Sequence, residues 1–158
     1  MTYVDKDYSA SNGGAGTDDG APQEDSALRL ELRTAASTVV IATIRTVAAD
    51  LAARADFDLD SIDDLRMAVD DLCAMLVRIA PADATLRCRF TAHAEQIVVA
   101  ADVEVEDGTE PPPTRSFGWR VLECLADEVS AEALPRELGQ RGRICITVTK
   151  NAVTAQQP

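Results

Sequence analysis

The chain has 158 residues, 46% of them hydrophobic, which suits one globular domain with a core of its own and is too short for two full-sized ones. Its 15 basic against 27 acidic residues leave a formal charge of -12, which disfavours nucleic acid or an anionic membrane surface as a direct partner and favours a basic protein. No apolar run approaches the roughly 20 residues that cross a bilayer, and the first residues lack the basic-then-apolar pattern of a secretory leader, so the expected compartment is the cytoplasm.

Residues 1–25 are rich in Ser, Gly, Asn and Asp, with no hydrophobic period to offset the entropy of ordering, and are expected to be a disordered tail ahead of a domain over 26–150. From Leu28 the leucines at 28, 30 and 32 alternate with Arg29, Glu31 and Arg33, the pattern of a half-buried strand. Ser37 and the threonines near it can cap a helix that runs to about Ala55, with Val40, Ile44, Val47 and Leu51 inward and Arg45 pointing elsewhere. The acids of DFDLDS supply acceptors and negative charge for a second helix, Asp58 to Ala80, which stops at Pro81.

In that second helix Ile62, Leu65, Val69, Leu72 and Leu76 recur at steps of three and four, which makes one buried stripe. Asp64, Asp71, Met75 and Arg78 fall on a different face, whose simplest reading is a solvated flank. Asp71 and Met75 stand four apart and are therefore neighbours.

Two strand-like runs follow, 85–93 and 96–106, parted by Ala94-Glu95 as in an antiparallel hairpin. The three prolines of TEPPPTR exclude helix and central strand there and make a short, stiff connector. SFGWRVLECLADEVS then resumes helical spacing, with Trp119, Leu122 and Leu125 or Ala126 on one side. A further strand is expected near Glu132 to Leu138. A terminal strand is expected at RICITVTK, where Ile144, Ile146 and Val148 alternate with Cys145, Thr147 and Thr149, before a frayed tail over 151–158. This order predicts an α/β (α+β) two-layer sandwich, a mixed and mainly antiparallel sheet with helices on one face.

Cys73, Cys88, Cys124 and Cys145 stand far apart in apolar-patterned segments, with no CxxC pair and no histidine near, which argues against zinc and for small buried hydrophobes. The lone His93 reads as a surface histidine at a strand end.

The order of elements, with DLRMAVDDLCAML and FGWRVLECLADEV as its two anchors, resembles the RsbW-type anti-sigma factors, relatives of the histidine-kinase-like ATPase fold. The resemblance spans roughly Leu28 to Lys150, and Asp-Glu-Val at the end of the third helix is one of its features. In active members the nucleotide-binding helix carries a catalytic acid and, four residues later, an asparagine that holds Mg²⁺; the resemblance places these on Asp71 and Met75. A thioether cannot replace a hard oxygen on magnesium. Of the first glycine box, Glu106 and Gly108 match its first and third positions, while Glu110 stands where the second glycine belongs. Of the second, which cradles phosphate at a helix start, Gly118 remains and Ser116 replaces the other glycine. Only PPPTR and a residue or two stand where active members have a flexible lid.

The resemblance therefore implies a fold that is kept and a nucleotide site that is lost, with no cofactor expected, or ATP and Mg²⁺ if the pocket works. It implies an anti-sigma factor that sequesters an alternative sigma factor and is countered by an anti-anti-sigma factor, a homodimer formed through the sheet region, and Arg45 on the first helix as a partner-binding residue. Two other readings stay open: an active serine/threonine protein kinase that phosphorylates the anti-anti-sigma factor with Asp71 as base, and a scaffold repurposed for another signalling protein.

Overall fold

The computed structural model describes residues 27–153, so the tail expected over 1–25 and most of that over 151–158 lie outside the described residues. Five strands form one sheet in the order β1-β2-β3-β5-β4, where β1 is Leu28–Ala35, β2 Thr85–Ala92, β3 Gln96–Val105, β4 Glu128–Leu134 and β5 Gly142–Asn151. Every pairing is antiparallel, so the expected mixed sheet is wholly antiparallel. The helices are α1 (Ile41–Arg54), α2 (Leu59–Ile79) and α3 (Phe117–Leu125). They make one layer over one sheet face, the expected two-layer sandwich.

α2 is the centre of the helix layer, packed between α1 and α3 and onto β3 and β5. Its start follows from Asp58, whose carboxylate accepts from the Ser61 N–H at 2.9 Å and the Ser61 hydroxyl at 2.6 Å. Those bonds hold the Asp58 carboxyl below its ordinary range. Its end follows from Pro81, which turns Ala80 to extended backbone. Because two helices flank it, α2 buries more than one stripe: Ala68, Cys73 and Met75 join Leu65, Val69, Leu72 and Leu76, whereas Ile62 is only half-buried. Met75 is 8% exposed, which corrects its expected place on a solvated flank.

In α1 the buried set is Ile41, Ile44, Ala48, Leu51 and Ala52, with Val40 and Val47 only half-buried. A 3-10 turn over Thr38–Val40, capped by Ser37, precedes the helix and shifts its phase from the expected stripe. The hairpin of β2 and β3 forms as expected, closed by the His93 N–H donating to the Gln96 carbonyl at 2.8 Å.

The third helix is shorter than its sequence suggests. It ends at Leu125, Ala126 is extended, and Asp127 donates its N–H to the Thr149 carbonyl while accepting at Oδ2 from the Asn151 N–H. Asp-Glu-Val thus opens an edge strand and does not end a helix. β4 accordingly starts four residues before the expected Glu132 and stops at Leu134, before Pro135. Half-buried Val129 and Ala131 alternate with exposed Glu128, Ser130 and Glu132, a period-two signal that the charged helix-forming residues hide.

β1 also differs. It is an edge strand, and although its leucines share the side of Leu86, Cys88, Phe90 and Ala92, Leu28 is 52% and Leu30 38% exposed. The helix layer ends before covering them. Cys73, Cys88 and Cys145 are buried as expected, but Cys124 is exposed on the outer side of α3. His93 is half-buried.

Candidate functional site

The site expected from sequence has three parts: the α2 pair Asp71 and Met75, the turn after β3 with Glu106 and Gly108, and the start of α3 with Gly118. The structure brings the second helix and the third together at Met75 and Gly118, and the turn takes no part in the Asp71 cleft.

Met75 points toward α3. Its Sδ lies 3.5 Å from where a Cβ on Gly118 would stand, an ordinary contact distance, so the thioether fills the space in front of the helix start. Ser116 caps that helix, its hydroxyl accepting from the Trp119 N–H at 3.2 Å. The residue that replaces a box glycine thereby occupies one of the free N–H groups that make a helix start attractive to phosphate. Trp119 beside it is buried and donates its indole N–H to Glu123 at 3.1 Å. Phe117 is 83% exposed.

Asp71, one turn before Met75, has different surroundings. It lines an open cleft of about 300 Å³ with Arg45, Arg66, Met67 and Asp70, on the outer side of α1 and α2. Arg45 is paired there with Asp70 at 3.0 Å, so the candidate partner-binding arginine bridges the two helices. Asp71 makes no hydrogen bond or ion pair among the described residues. Partial burial, and secondly the charge of Asp70, push its carboxyl above the ordinary range. A raised carboxyl is what a general base can use, but Asp71 and Met75 do not share one pocket.

Glu106 and Gly108 lie in a tight turn closed by the Thr109 N–H on the Glu106 carbonyl at 3.2 Å, with Gly108 at φ 83°, in the left-handed region that favours glycine. Glu106 is exposed, and Asp107 next to it is bound by Arg136 at 2.6 Å. Neither Glu106 nor Gly108 lines the Asp71 cleft. No group of three or more His, Cys, Asp or Glu among the described residues is placed to hold a metal ion.

Two charged constellations were not foreseen from sequence. Lys150 on β5 reaches under the helix layer to Asp64 of α2 at 3.1 Å and to the Leu125 carbonyl of α3 at 3.0 Å, tying the two helices to the sheet. A signal existed: Lys6 and Lys150 are the only lysines in an arginine-rich chain. On the other sheet face Asp102 is 0% exposed and held by Arg87 at 3.0 Å, by Arg89 at 3.6 Å and by Arg143, with Glu104 beside Arg143. The hydrogen bond from Arg87 to Asp102 raises the pKa of the guanidinium. A single Asp inside the run of Val and Ala in β3 was its only trace in the sequence.

No family model matches the chain. Two curated proteins do: the anti-sigma-F factor RsbW of two strains of Mycobacterium tuberculosis, each 38% identical over 100 residues that make up 63% of this chain. The match spans 59% of the length of each relative. No helix among the described residues is long and apolar enough to cross a membrane. Over these 100 residues the chain is similar to the anti-sigma factor RsbW of that organism, the family whose resemblance its sequence carries.

Proposed function

We propose that the chain is an anti-sigma factor of the bacterial cytoplasm that binds and sequesters an alternative sigma factor without using ATP. The observation that carries the reading is the 38% identity to relatives named anti-sigma-F factors. The acidic balance of the chain suits a basic surface on the partner. Loss of nucleotide use is supported by Met75 packed against the start of α3 and by Ser116 taking up an N–H of that helix. In this reading the face of α1 and α2 around Arg45 meets the sigma factor, an anti-anti-sigma factor competes for the complex, and the protein is a homodimer. Co-expression with each alternative sigma factor of the host tests it. A co-eluting complex on size exclusion is expected, and its absence with every sigma factor overturns the reading.

A second reading, a protein serine kinase, is favoured by one observation, the raised carboxyl of Asp71. Calorimetry with Mg-ATP separates the two. No heat is expected, and micromolar binding would favour the kinase.

A further inference from the structure

The sheet has one face without helices, and its charge departs from that of the chain as a whole. β1 places Arg29, Glu31 and Arg33 beside Thr91, Arg89 and Arg87 of β2, and paired residues point to the same side. The next strands add Asp102 and Glu104 of β3 and Arg143 of β5 to that side. Across these four strands five arginines face three acids, in a chain whose formal charge is -12. The two further acids of the face, Glu128 and Glu132, lie on β4 at its far edge. Asp102 is wholly buried, and three of the arginines already share its charge. Arg29 makes no hydrogen bond or ion pair among the described residues, and Arg89 is 44% exposed and reaches Asp102 only at 3.6 Å. Ala100 and Thr147, side by side and half-buried in the middle of the face, are short enough to leave a floor below the guanidinium groups.

An acidic partner for this face stands in the same chain. Residues 17–26 read TDDGAPQEDS and carry Asp18, Asp19, Glu24 and Asp25 without a single base. They lead through Ala27 into β1, whose second residue is Arg29. The farthest of the five arginines, Arg143, lies three strands over and about seven residues along from Leu28, or about 27 Å, which ten extended residues can span. Arg29 and Arg89 lie much nearer, within reach of Glu24 and Asp25. A separate acidic molecule would be repelled by the net charge of the chain. A joined segment meets the face at an effective concentration on the order of millimolar, so that exposed ion pairs weak singly suffice together.

We propose that the acidic segment 17–26 binds the arginine face of its own sheet over β1, β2 and β3, its carboxylates meeting Arg29 and Arg89. Glu128 and Glu132 repel it from β4 and so confine it to the side from which it enters. The bound segment shields the basic face from acidic molecules and leaves the chain acidic on every side it shows to a partner. The contact goes beyond the function given above and does not rest on it.

A nitroxide on the full chain tests it by NMR. Ala21→Cys in a Cys124→Ser background takes the label at one thiol, since Cys73, Cys88 and Cys145 are buried. The amide signals of Arg89, Ala100 and Thr147 are expected to lose most of their intensity, while those of Arg45 and Asp70 on the outer side of the helices keep theirs. The loss is expected in 0.1 M salt, where charges are screened over about 10 Å, and not in 1 M salt, where the length is about 3 Å. Replacing Asp18 and Asp19 by asparagine, Glu24 by glutamine and Asp25 by asparagine together is expected to abolish it, and so is Arg29→Gln with Arg89→Gln. Arg29 and Arg89 are exposed, and melts followed by circular dichroism verify that these variants fold. Full intensity at Arg89, Ala100 and Thr147 in 0.1 M salt overturns the proposal, and so does a loss that ignores the charge variants. Mixtures of isotope-labelled chains without nitroxide and unlabelled chains with it are expected to show no loss, and a loss there would make a second copy the occupant and overturn the contact within one chain.

Discussion

Replacing Met75 by asparagine restores the residue type that active relatives of this fold use to hold magnesium, and it is the sharpest test of what the site has become. Met75 is 8% exposed and sits in the main core cluster against the start of α3. Removing its buried thioether side chain forfeits burial and leaves space, which in cores costs about 2–5 kcal/mol for Met→Ala. Asparagine refills some of that space but adds an amide whose desolvation, if unpaired, costs about 1–3 kcal/mol. A net loss of about 3–5 kcal/mol is expected, read as a lower midpoint in urea denaturation with an unchanged slope. Added Mg-ATP is expected to leave the midpoint where it is, since Ser116 still caps α3, Glu110 still replaces a glycine and only PPPTR stands where a lid would be. A Met75→Asn protein as stable as the parent, or one that Mg-ATP stabilises, would refute the account of Met75 as packing.

Asp71→Asn should stabilise the fold at neutral pH. The folded carboxyl is raised above its unfolded value, so the folded state binds the proton more tightly and stability falls as pH rises from the unfolded value through the folded one. The gain in melting temperature should shrink and disappear below about pH 4, where both states are protonated. Gly118→Ala should be tolerated or stabilising by about 0.5–1 kcal/mol in thermal melts, because a Cβ there meets Met75 at ordinary contact distance and alanine is the better helix former. Asp102→Ala should cost about 3–5 kcal/mol by leaving three arginines around a buried site without their shared anion, and denaturant titration reads it. Ellman's reagent should find Cys124 at once in the native protein and the other three thiols only on unfolding, with Cys73 the more inert because the adjoining Cys88 thiol and burial push its pKa well up.

Much of the fold was legible because its signals are local. Period two in β2, β3 and β5 and period 3.6 in α2 each follow from a buried face, and the caps Ser37 and Asp58 stand where the chain turns into helix. Misreadings arose where tertiary placement overrode the local pattern. LADEVS continues a helical composition, yet Asp127 binds β5 and draws Glu128 onward into a strand. The leucines of β1 alternate like those of a buried strand, but burial depends on the width of the helix layer, which no period encodes. Lys150 and Asp102 left only faint traces for the same reason, since their partners lie 25 to 86 and 13 to 41 residues away.

The candidate site shows how a helix can keep the positions of a motif and lose their joint purpose. Asp71 and Met75 are neighbours on α2 by helical spacing, which invites one role for both. Yet α2 lies between two helices, and a turn of 3.6 residues leaves positions i and i+4 about 40° apart around the axis. With α1 on one side and α3 on the other, that angle is enough for Asp71 to line the Arg45 cleft while Met75 closes on Gly118. A residue that binds metal must face an opening, and a thioether at position 75 is held in the core by the same burial that would penalise a polar replacement. The two substitutions at these positions should therefore move stability in opposite directions at neutral pH, down for Met75→Asn and up for Asp71→Asn. Their effects should add to within about 0.5 kcal/mol in the double variant if the two surroundings are independent, and a larger coupling would mean that the pair still acts as one site.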